Sequence, residues 1–211
     1  MTKKIEEIPI VELDMNEIAN KDLDNWFYAQ DVQNRKLFLT TDVMQETVDP
    51  IIHHILYYNR ADRELLPPER RPIVLYISSR GGEVDAGMAL ADTISLSRTP
   101  VYTVNMGYAY SMGFLILLSG HVRYSLPNAK FLLHDGSNFI YNSAAKAMDE
   151  ALFLGEAEKR IAAYISRHSR LTEEEYFRHQ RKEWYMFPEE ARDRGFVDKI
   201  LGDDASLGEV L

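Results

Sequence analysis

The chain has 211 residues, no cysteine and a net charge of −9 from 33 acidic and 24 basic side chains. That length suits one large domain, and 45% hydrophobic residues suffice for a substantial core. Without cysteine there are no disulfides, thiolate nucleophiles or cysteine zinc sites; the acidity argues against a nucleic-acid surface, and no apolar run approaches the roughly 18–20 residues of a membrane span. The start, Met1 to Glu7, has no apolar run behind its lysines and so does not read as a secretory signal, and the expectation is a cytoplasmic protein.

Residues 1–33 are polar and acidic and read as an arm followed by a first helix around Leu23–Ala29. Lys36–Leu39 is a short buried strand, and Val48, Ile51, Ile52, Ile55 and Leu56 recur at helical spacing between Thr47 and Tyr58. The prolines at 67, 68 and 72 make 65–72 a loop. Ile73–Ile77 is continuously apolar, as in a strand covered on both faces. Gly81-Gly82 breaks it, and Val84, Met88, Ala91 and Ile94 mark one face of the next helix. The pattern repeats: a strand Val101–Met106, a turn Gly107–Tyr110, and a short apolar helix Ser111–Leu118.

A third strand, Lys130–Leu133, ends at His134. Asn142 and Ser143 are both candidates to cap a long helix running to about His168, with Met148, Leu154, Ile161 and Ile165 on its apolar side. A last helix around Glu189–Arg194 is closed by Gly195, and Phe196–Leu201 returns as a strand. Strands alternating with helices predict an α/β fold with a largely parallel sheet, in one domain over 34–211.

A hydrolytic serine needs exposure, a base within reach and donors for an oxyanion. Ser111 follows a strand and opens a helix, so the backbone N–H of Met112 is free to point at developing negative charge. Gly81-Gly82, at the end of the neighbouring strand, offers a second N–H from a backbone that a substrate can approach closely. His134 closes a third strand on the same sheet edge, which is where open α/β sheets place their sites. Each feature alone has a plain structural explanation: a helix cap, a turn, a buried histidine. Their succession along one sheet is what points to chemistry.

These same segments resemble the Clp protease proteolytic subunit family. Ile77-Ser78-Ser79-Arg80-Gly81-Gly82 with Ala86-Gly87-Met88-Ala89 is similar to its oxyanion-loop segment, and Gly107-Tyr-Ala-Tyr-Ser111-Met-Gly113 to its nucleophile motif. Leu126-Pro127-Asn128-Ala129 leading to His134 resembles its histidine strand. Asn34 to Leu39, Pro188 to Ala191 and Gly195 to Asp198 resemble its start and end, so the likeness spans about 34–201. It implies a crotonase-like core of repeated β-β-α units with a protruding handle helix, here about 136–168. It also implies a Ser-His-Asp triad, and stacked heptameric rings, homomeric or mixed with a paralogous subunit, that degrade unfolded polypeptides.

By position, the resemblance makes Ser111 the nucleophile, His134 the general base, and the N–H groups of Gly82 and Met112 the oxyanion hole. The family's third triad position is an aspartate, and counting back without a gap from Ala191 puts Glu183 there. Asp135 is a poor substitute, because neighbours on a strand point to opposite faces. Arg80 stands where the family carries a proline, and the segment 58–71 is longer than the family pattern. Tyr76, Leu96 and Val74 match positions of an apolar pocket that receives an AAA+ unfoldase ATPase. The chain has no G-x-x-x-x-G-K-[ST] phosphate loop, so ATP would be used by that partner and no cofactor is expected here. His53, His54, His121, His168 and His179 lack metal-ligand spacing, so no metal is expected.

Three functions compete on these residues. The first is an ATP-dependent serine endopeptidase subunit. The second is a catalytically impaired subunit that shapes a mixed ring beside an active paralogue, motivated by Glu183, Arg80 and the insertion. The third is an acyl-CoA enzyme of the related crotonase fold, which shares the paired amides but has no need of Ser111 and His134.

Overall fold

The computed structural model describes residues 23–136, 140–179 and 182–211. The expected N-terminal arm, residues 1–22, and part of the expected handle, 137–139, lie outside them. The chain separates into two units, Met1–Asn34 and Arg35–Leu211. The first holds α1 (Leu23–Gln33), four residues longer than its predicted end, with no buried side chain.

The second unit is built on seven strands among the described residues. β1 (Lys36–Leu39), β2 (Ile73–Ser79), β3 (Val101–Tyr110), β4 (Val122–Ser125) and β7 (Lys199–Ile200) lie side by side in that order, all parallel. β2 is buried at every position except Ser78, which accounts for its unbroken apolar run. β3 changes partner along its length. Tyr102–Asn105 pair with β4, whereas Tyr108–Tyr110 pair with β5 (Lys130–Leu133), itself antiparallel to β6 (Trp184–Met186).

Buried Asn105 sits at that fork. Its amide nitrogen donates to Lys130 C=O (3.0 Å) and its side-chain oxygen accepts from Gly107 N–H (3.1 Å), satisfying backbone that the ladder leaves behind. The predicted turn at Gly107–Tyr110 is therefore strand. The predicted last strand, Phe196–Leu201, shrinks to two residues after a turn at Gly195.

α2 (Gln45–Ala61), α3 (Val84–Ser95) and α4 (Met112–Leu118) follow β1, β2 and β3 in turn. Every residue of α4 is buried, and Phe114 meets Phe131 and Phe196 edge-to-face at ring distances of 6.4 and 5.0 Å. α5 (Ala144–Arg167) begins after Ser143 and buries Ala162, Tyr164 and Ile165 near its C-terminal end, while Met148, Leu152 and Phe153 are exposed. α6 (Glu173–His179) and α7 (Pro188–Asp193) complete the α/β fold.

The long 58–71 segment is anchored from β1's leading edge. Arg35 donates to both oxygens of Asp62 (2.6 and 2.7 Å) and to Arg71 C=O (2.8 Å), and Thr99 donates to Asp62 (2.9 Å). Asp62 is only 2% exposed, and the Arg35 guanidinium holds its carboxyl below the usual range. Arg35 itself takes a positive φ of 61°.

Candidate active site

β3 delivers the chain to Ser111, which has φ 51° and ψ −122°, before α4 begins at Met112. A non-glycine residue in such a region costs on the order of 1–3 kcal/mol and persists only where its surroundings hold it. Here Ser111 N–H donates to Leu132 C=O (2.9 Å), tying it to β5. Its own C=O accepts from Phe114 and Leu115 N–H (3.0 and 3.2 Å), so it also starts the helix. The N–H groups of Met112 and Gly113 belong to the first turn, where no intrahelical acceptor exists.

The Gly81-Gly82 segment lies against this turn. A Cβ on Gly81 would come within 2.8 Å of Met112 N and of Tyr110 O, and within 2.9 Å of Ser111 Cβ, so only glycine fits. Gly82 bridges to Val43: Val43 N–H donates to Gly81 C=O and Glu83 N–H donates to Val43 C=O, both at 2.8 Å. In extended backbone successive N–H groups alternate, so the Gly82 N–H points away from Val43. Gly82 is exposed. Val43 is a support that the sequence reading missed, because an isolated bridge leaves no periodic signal.

His134 follows β5 two residues after Leu132, so it leaves the sheet beside the strand end that carries Ser111. The register Leu133↔Trp184 continues to bring Glu183 opposite His134. Glu183 Oε1 lies 3.3 Å from His134 Nδ1, with side-chain exposures of 26% for the histidine and 55% for the glutamate. Tyr185 donates its hydroxyl to Glu183 Oε2 at 2.8 Å, and that bond pushes the phenol's pKa up. The sequence carries no signal for Tyr185; only its place in the strand 184–186 sets its side chain on the face that Glu183 shares. Asp135 is exposed and enters none of these contacts.

Arg80 places its guanidinium 5.8 Å from the ring centre of Tyr108. Tyr108 packs on Tyr110 (5.4 Å), and Tyr110 meets Tyr185 edge-to-face (6.0 Å). The three residues expected to bind a partner divide. Leu96 is 82% exposed, whereas Val74 and Tyr76 are buried in a cluster with Val104, Tyr124, Leu201 and Val210. The Tyr76 hydroxyl donates to Val210 C=O, so the C-terminal segment lies over that cluster. Among the described residues, no three His, Asp or Glu side chains are grouped to hold a metal, and no helix is long and apolar enough to cross a membrane.

The chain is similar to the ATP-dependent Clp protease proteolytic subunit of Deinococcus radiodurans (28% identity; 82% of this chain and 83% of the relative). It is likewise similar to proteins named ATP-dependent Clp protease proteolytic subunit 2: that of Rhodococcus jostii (30%; 90% and 95%) and that of Cutibacterium acnes (30%; 85% and 83%). The Clp protease family model matches residues 20–204, across the sheet, the Ser111 turn and the His134–Glu183 pair alike, and the chain belongs to that family of peptidases.

Proposed function

We propose that the chain is a serine-type endopeptidase subunit in which Ser111, His134 and Glu183 form the triad and the N–H groups of Gly82 and Met112 the oxyanion hole. The observation that carries this reading is the 3.3 Å approach of Glu183 to His134 Nδ1. A carboxylate on Nδ1 selects the tautomer whose Nε2 lone pair is free to take a proton, which is what a general base requires. Ser111 Oγ attacks the peptide carbonyl as its proton passes to Nε2. The carbonyl oxygen, now an oxyanion, accepts from the two backbone N–H groups. Collapse expels the amine with the proton from His134, and water then releases the acyl group by the same steps reversed.

The spacing exceeds the roughly 2.7–2.9 Å of a closed charge-assisted bond, and such contacts tighten once substrate and imidazolium are present. The pair favours the active reading over a catalytically impaired ring component. The named relatives are called ATP-dependent; in this reading a separate AAA+ unfoldase would use the ATP, and unfolded polypeptides would be cleaved inside stacked heptameric rings.

A fluorophosphonate probe tests the core of the reading. It should label the wild-type chain on Ser111 and leave Ser111→Ala unlabelled. Equal labelling of both, or none of the wild type, overturns it.

A further inference from the structure

We propose that Tyr185 is a positioning residue for peptide hydrolysis, its hydroxyl holding one oxygen of Glu183 so that the other serves His134. The proposal rests on the triad reading given above. Glutamate is one methylene longer than aspartate, and Glu183 is more than half exposed, so packing does little to select one rotamer. Oε2 is occupied by the Tyr185 hydroxyl at 2.8 Å, which turns Oε1 to His134 Nδ1 at 3.3 Å.

The tyrosine is held in its turn. It sits directly opposite Leu132 in the β5–β6 ladder, and Leu132 C=O is the acceptor for Ser111 N–H. Its ring stands edge-to-face on Tyr110, the residue before Ser111. A loop of contacts therefore runs from the nucleophile's own strand through Tyr110, Tyr185 and Glu183 to His134. The Glu183 bond raises the phenol's pKa, so Tyr185 stays a neutral donor at physiological pH; Tyr110 from β3 and Arg80 from the loop after β2 are the titratable or charged groups acting on it from other elements.

A merely structural tyrosine and a positioning one separate in a double-mutant cycle of Tyr185→Phe and Glu183→Gln, read as the rate of fluorophosphonate capture by Ser111 in the full-length chain. Tyr185→Phe keeps the ring contact with Tyr110 and removes only the hydroxyl. It should slow capture about tenfold, the scale of one hydrogen bond to a charged group. In the Glu183→Gln background, followed over long incubations, the same change should slow capture less than about twofold, because the group through which Tyr185 acts is already lost. An equal slowing in both backgrounds, or none in the wild-type background, overturns the proposal while leaving the triad in place. Absence of Ser111 labelling in the wild-type chain overturns the triad reading and this proposal with it.

Discussion

Glu183 and His134 face each other across an antiparallel ladder, one step beyond Leu133 and Trp184, with Oε1 3.3 Å from Nδ1. Neither residue lies on β3, the strand that leads to Ser111, yet both are tied to it through β5. Glu183→Gln removes the charge while keeping the shape, and it should lower kcat/KM for peptide cleavage by on the order of 10²- to 10⁴-fold. Steady-state kinetics on a fluorogenic peptide would read the change. A loss smaller than about threefold would show that the carboxylate does not serve the histidine.

Ser111→Gly and Ser111→Ala should both abolish fluorophosphonate labelling but differ in stability. Glycine adopts the φ of 51° without strain, whereas alanine keeps the Cβ that makes it costly. The glycine variant should be the more stable by about 1 kcal/mol. Thermal unfolding of the two proteins side by side measures the difference.

Gly81→Ala should be damaging, because its methyl group would press on Met112 N and Tyr110 O at 2.8 Å. Those atoms are backbone and cannot swing aside, so the Ser111 turn itself must shift, at a cost of about 1–3 kcal/mol. The expected result is a lowered unfolding temperature together with loss of probe labelling, since displacement of Met112 N–H would also spoil the proposed oxyanion hole.

Asp62 makes a pH prediction with a definite sign. Its carboxyl is held below the ordinary value of 3.8 by the Arg35 bonds, so the pair's contribution to stability is complete above that value. It is lost as pH falls through the depressed folded-state value. Asp62→Asn should cost about 3 kcal/mol at neutral pH, as expected when one partner of a buried pair is removed, and the variant's stability should fall less steeply below about pH 4. Denaturant unfolding of both proteins at neutral and acid pH checks the two halves separately.

The parts of the molecule that could be read in advance are those where burial repeats a simple pattern. β2 and α4 announce themselves as apolar runs bounded by glycines or a serine, and both are buried almost throughout. β6 did not, because a strand of three residues is too short to carry a measurable period. Gly107 looked like a turn because its strand conformation depends on Asn105, a long-range device that borrows Lys130 C=O and Gly107 N–H. The candidate site divides in the same way. Ser111, His134 and the paired glycines stood out as strand ends. Glu183 came only from counting along a family pattern, and its approach to His134 depends on the β5–β6 register.

Within the 58–71 segment, Arg35 grips Asp62, just after α2, and Arg71 C=O, just before β2. Residues 63–70 therefore form a bight whose neck is already fastened by Arg35. Lengthening such a loop costs only about 0.6 kcal/mol for each doubling. An epitope or fluorophore-bearing peptide spliced between Arg63 and Arg70 would hang from the surface while β1, β2 and β3 keep their register. It offers an attachment port for following the enzyme in mixtures where neither terminus can be spared.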